Sequence, residues 1–165
     1  SITIVFSKCS AITDAGFIVM KNTLKYLPLM RKFHFGFYDC PKITDEGLVY
    51  LCQTLEGFSS LQSLSVPFGG CSKITDRGVK EIIDCMNKLP DLREIEIDIS
   101  ETGKITDVSL NYISEFLRSR ASLEKIELTF HLMSGTTDGG KADFKKELEN
   151  LNIQRPNLKI ESCPD

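Results

Sequence analysis

The sequence predicts an α/β solenoid. Strand–helix units stack so that the strands form a parallel sheet and the helices form a layer outside it. Two observations carry this prediction. The first is a fixed period: Ile-Thr-Asp occurs at Ile12, Ile43, Ile74 and Ile105, and a decayed Thr-Thr-Asp begins at Thr136, always 31 residues apart. A constant spacing of about 20–50 residues marks a repeat array, and five copies in register exceed chance. The second is a switch of hydrophobic period inside each unit, from two before the triplet to 3.6 after it.

The strands come first. Ile2-x-Ile4-x-Phe6, Phe33-x-Phe35-x-Phe37, Leu64-x-Val66-x-Phe68, Ile95-x-Ile97-x-Ile99 and Ile126-x-Leu128-x-Phe130 alternate apolar and other residues. They are rich in β-branched and aromatic types, as strands with one buried face should be. A column of Cys9, Cys40, Cys71, Thr102 and Met133 follows, expected to fill a notch in the core. In the triplet, the Ile points inward. Its Thr or Asp stands where a helix begins and can accept from the first free backbone N–H groups, and the Asp charge suits the positive end of the helix dipole. Two residues on, Gly16, Gly47, Gly78, Ser109 and Gly140 keep the first turn small. The helices follow, with Leu48, Leu51 and Leu55, then Val79, Ile82, Met86 and Leu89, then Leu110, Ile113 and Leu117 at helical spacing. Leu61, Leu92 and Leu123 close each return. The units are 1–31, 32–62, 63–93, 94–124 and 125–155. A closing strand within 156–165 carries Leu158 and Ile160 inward after a one-residue slip, and Pro164 ends it. No unit can bury both faces alone, so stacking buries one continuous core.

The pattern Leu61-x-x-Leu64-x-Val66, then Cys71-x-x-Ile74-Thr75-Asp76-x-Gly78-Val79, resembles the cysteine-containing, ribonuclease-inhibitor-like leucine-rich repeat. The resemblance covers nearly the whole chain, although this unit is longer than the usual one. It implies a right-handed, curved solenoid with the parallel sheet on the concave face and α-helices on the convex face. It also implies protein–protein interaction. Some members of this kind are the substrate-recognising parts of ubiquitin-ligase adaptors, but no F-box-like segment is read here.

Composition sets outer bounds. The chain has 165 residues and net charge −3, enough length for a real core and no polycation for nucleic acid. No apolar run approaches a membrane span. The chain opens directly on SITIVF, which reads as structure and not as a targeting segment, so a piece cut from a longer protein is one expectation. Six cysteines without a C-x-x-C pair suit a reducing, cytoplasmic compartment. A thiol ladder through Cys9, Cys40 and Cys71 could in principle hold zinc, but Thr102 and Met133 share the column and supply no thiolate. No catalytic or phosphate-binding motif is present. The expectation is no enzyme, no metal and no cofactor.

Binding is expected on residues that do not repeat. The outward strand positions include His34 and Tyr38 on the second unit and Ser65 on the third. The fourth supplies Glu94, Glu96 and Asp98, and the fifth Glu127, Thr129 and His131. Tyrosine favours interface centres, and the grouped carboxylates suit a basic protein segment. The apolar first strand is an uncovered edge. It suggests either flanking repeats or end-to-end self-association. A rival reading makes the chain a structural subunit of a larger assembly, docked through its ends or helical face.

Overall fold

The structure, a computed structural model, describes residues 1–24 and 26–163, and side chains through residue 160. Strands and helices alternate along it. The strands are β1 (Ile2–Ser7), β2 (Lys32–Tyr38), β3 (Ser63–Pro67), β4 (Glu94–Asp98), β5 (Lys125–Thr129) and β6 (Lys159–Cys163). The helices are α1 (Ala15–Leu24), α2 (Asp45–Leu55), α3 (Asp76–Asn87), α4 (Asp107–Ser119) and α5 (Asp138–Gln154). All six strands form one parallel sheet in sequence order. Neighbouring helices pack in the same order. This architecture is consistent with a repeat solenoid. Among the described residues, no helix is long and apolar enough to cross a membrane.

The sheet register follows the sequence spacing. Ile2 lies beside Phe33, Phe33 beside Leu64, Leu64 beside Ile95, and Ile95 beside Ile126. Each inward side chain thus stacks on its counterpart one unit away. Phe33, Phe37, Leu64, Val66, Ile95 and Ile126 are almost fully buried, as are Ile43, Ile74 and Ile105 of the triplets. Phe35 and Phe37 meet edge to face at 4.5 Å, and Phe17 from α1 covers Phe37 at 4.7 Å. The large apolar side chains of strands, turns and helices join one core.

The last junction differs. Ile126 pairs with Ile160, an offset of 34 instead of 31. The extra length is in α5, which has 17 residues against 10 to 13 in the others. Leu158 is buried and Ile160 packs against the core. Pro164, expected to end β6, lies outside the described residues.

The triplet does more than begin a helix. Thr44, Thr75, Thr106 and Thr137 are the N-caps, each with extended backbone and a hydroxyl that accepts a helical N–H. Of the two residues expected there, the Thr takes the task and the Asp does not. Its carboxylate reaches the next unit instead. Asp14 accepts from Thr44 N–H at 2.9 Å and from Thr44 Oγ at 2.7 Å. Asp45 binds Thr75 in the same way, Asp76 binds Thr106, and Asp107 binds Thr137. The small column is explained by the same carboxylates. A Cβ on Gly47 would stand 2.6 Å from Asp14 Oδ1, and those on Gly78 and Gly140 would collide with Asp45 and Asp107. Ser109 fits by donating its hydroxyl to Asp76. One column therefore clears the carboxylate that fastens its neighbour.

A second column was not anticipated. Lys8, Asp39, Gly70, Glu101 and Leu132, again 31 apart, all have positive φ, from 50° to 74°. This left-handed residue turns the chain out of each strand toward the notch column. Only Gly70 is free of the steric cost that L side chains bear there.

Candidate functional site on the open sheet face

The sheet face turned away from the helices carries the outward residues. Strand alternation puts His34 and Tyr38 of β2, Ser65 and Pro67 of β3, Glu96 and Asp98 of β4, and Glu127 and Thr129 of β5 there. Parallel register then builds rows across the strands. His34 lies beside Ser65, Ser65 beside Glu96, and Glu96 beside Glu127.

The first row is joined chemically. Ser65 donates to Glu96 Oε2 at 2.5 Å and stands 2.5 Å from His34 Nδ1. His34 Nδ1 is 3.5 Å from the same Glu96 oxygen. A hydroxyl has one proton to donate. With that proton directed at Glu96, His34 Nδ1 carries its own hydrogen and donates to Ser65 Oγ. This polarity is the reverse of an activated serine, whose proton must pass to a histidine base. The three residues therefore make a fixed polar row and not a nucleophile. Ser65 is covered by this arrangement, with only 8% of its surface exposed, although its strand position predicted display.

Tyr38 and Asp98 complete the centre. Burial first, then the charges of Glu96 and Asp98, hold the Tyr38 phenol proton above the usual tyrosine range. Asp98 lies over Gly69, where a Cβ would stand 3.0 Å from either carboxylate oxygen. Its Oδ1 also accepts from Ser100 N–H at 2.9 Å. Gly36 is buried beneath the side chains of its neighbours. A Cβ on Gly36 would meet Pro67 Cγ at 3.1 Å and Tyr38 Cε2 at 3.4 Å. Pro67 has no N–H, and the β2–β3 ladder is paired only from Lys32 to His34. Gly36 and Pro67 stood in the outward series, but both are buried once the strands are paired.

The remaining candidates lie around this centre. Glu94 faces Lys32 at 3.5 Å, and Glu127 is bound by Lys125. The acidic patch is thus partly neutralised by Lys32 and Lys125, which also stand at outward strand positions. Thr129 neighbours Asp98 in register. His131 stands apart, with Nδ1 3.3 Å from Ser100 Oγ and Nε2 3.9 Å from Glu101.

The thiols face the core. Cys40 and Cys71 are fully buried and point at the carbonyls of Tyr38 and Phe37. Burial pushes the Cys71 thiol up to about 12. Cys52, between α2 and α3, is raised by its hydrogen bond with Cys85 and then by burial. Cys71 and Cys52 therefore stay protonated near neutral pH. Among the described residues, no three His, Cys, Asp or Glu side chains gather as a metal site.

No family model matches the chain. No curated protein matches it. Among solved structures it is similar to a chain in the crystal structure of the Rad7 and Elc1 complex in yeast, with a TM-score of 0.54 and 19% identity. The match covers 92% of this chain and 31% of that one. At that identity the likeness shows the fold alone. The chain spans about a third of the length of the one it matches.

Proposed function

We propose that this chain is a non-catalytic protein-interaction module whose concave, open sheet face receives a segment of a protein partner. The observation that carries the reading is the centre formed by Tyr38, His34, Ser65, Glu96 and Asp98 on the open sheet face. Its polar groups are held in place before any partner arrives, which lowers the ordering cost of binding. Tyr38 offers an aromatic anchor. Among the described residues no cation pairs with Asp98, unlike Glu94 and Glu127. A lysine or arginine side chain brought to this centre would find the Tyr38 ring and the Asp98 carboxylate. A basic segment is the occupant this chemistry favours. The reversed polarity of the Ser65 row supports the absence of catalysis. The structural neighbour was solved in complex with another protein, which agrees with a protein partner.

The test compares three immobilised baits: wild type, Glu96→Lys/Asp98→Lys, and a control with Lys80→Glu/Arg118→Glu on the helical side. A protein retained by wild type and the control, but not by the strand variant, is then titrated in purified form against all three. Equal affinity for wild type and the strand variant would reject the reading.

A further inference from the structure

The β1 end of the sheet is unlike every internal junction. Among the described residues, the large apolar side chains that stay exposed concentrate there: Val5, Ile18, Val19, Tyr26, Leu27 and Leu29 belong to this end, against three in the rest of the chain. Beside them is an apolar groove of about 530 Å³, lined by Ile4, Phe6, Ile12, Phe17, Val19 and Met20. Ile12 is half-buried, whereas Ile43, Ile74 and Ile105 of the same column are fully buried.

Two finer features of this end match the internal junctions. Thr44, Thr75, Thr106 and Thr137 each give an N–H and a hydroxyl to an Asp one unit earlier. Thr13 is the fifth member of that column, and among the described residues no carboxylate serves it. Gly47, Gly78 and Gly140 each have an Asp oxygen where a Cβ would lie, while Gly16 has nothing within 4 Å. The end thus presents an apolar groove, an open parallel strand, two unserved donors and an empty notch of carboxylate size.

We propose that the β1 end is a docking face for one more strand–turn–helix unit of this chain's own type, whose Asp carboxylate takes the Thr13 N–H and hydroxyl and fills the notch over Gly16. The argument is continuity. Four junctions in the molecule use this interface, and the β1 end holds its receiving half. An antiparallel β1–β1 pair with a second copy would cover the strand edge but leave Thr13 and Gly16 unserved. The proposal is independent of binding on the open face.

The test extends the whole chain by a copy of residues 32–62 placed directly before Ser1. That puts a strand 31 residues before β1, and the copy of Asp45 30 residues before Thr13. The expected results are a higher urea midpoint than the chain alone and roughly tenfold or more slower exchange of the Thr13 amide. Both effects shrink when the copied Asp is changed to Ala. Gly16→Ala leaves the midpoint of the chain alone unchanged or slightly higher, but lowers that of the extended chain. A second extension with residues 63–93, whose Asp76 holds the same place, guards against misfolding of one particular copy. The proposal is overturned if neither extension folds, if both leave the midpoint unchanged, or if Gly16→Ala acts alike with and without the extension. It is also overturned if the unextended chain sediments as a dimer with β1 protected, which would assign the face to a second copy.

Discussion

A carboxylate and a glycine from neighbouring units act as one residue-scale device. The Asp of each triplet fastens the next Thr, and the small residue beside that Thr makes room for it. Gly78→Ala would press a methyl on the Asp45 carboxylate and on Leu48 Cδ1, and should cost about 1–3 kcal/mol in urea unfolding. In an Asp45→Ala background most of that cost should vanish, so a double-mutant cycle exposes the coupling. The same device predicts an acid limb. The Thr137 hydroxyl, then its N–H, hold the Asp107 carboxyl below the usual range. The native state therefore binds that proton less tightly than the unfolded chain, whose value is about 3.9. Stability from this contact is complete above about pH 4 and is lost as pH falls through the lower native value. Thr137→Val should flatten that limb in a pH series of urea midpoints. A third expectation concerns the left-handed column. Glu101→Gly should raise stability by about 0.5–1 kcal/mol, because φ is 56° there and the weak pairing with His131 is worth little. Of these features, the Thr cap was legible in the triplet. The Asp bridge was not, because it joins residues 30 apart whose contact exists only after stacking. The left-handed column was hidden because only Gly70 and Asp39 carry residue types that suggest it.

Strands and helices followed the periods closely, since alternation and helical spacing report burial directly. What they could not report is how one element is tied to the next. Arg155, just past α5, reaches back to the carbonyls of Arg120 at 3.1 Å and Ala121 at 3.0 Å, and also to that of Leu123. Arg120, just past α4, does the same to Asn87 and Leu89 of the preceding return. Each arginine thus ties its own return to carbonyls of the return one unit earlier. Arg155→Ala should destabilise the chain by about 1–2 kcal/mol, with amide exchange in β6 rising more than in β3. The interruption of the β2–β3 ladder was also outside the reach of periodicity. Pro67 falls at an outward position and fits the alternation, yet it lacks the N–H that a longer ladder would need.

At the scale of the molecule, repetition yields a sheet whose inner side is nearly invariant and whose open side is not. The open side was legible as a list of outward positions. Which of them cooperate was not, because His34, Ser65 and Glu96 come from three units and meet only through register. Nor could the list show that Lys32 and Lys125 neutralise the flanks while, among the described residues, no cation pairs with Asp98 at the centre. The central claim is that this centre, and not the helical side or the β1 end, carries the partner. The most direct measurement is hydroxyl-radical footprinting of the chain alone and saturated with the purified protein retained by wild type. The account predicts that labelling of Tyr38 and His34 falls sharply on binding, while Tyr112 and Tyr26 are labelled as before. Unchanged labelling of Tyr38 and His34, with protection of Tyr112 on the helical side or Tyr26 at the β1 end, would contradict it.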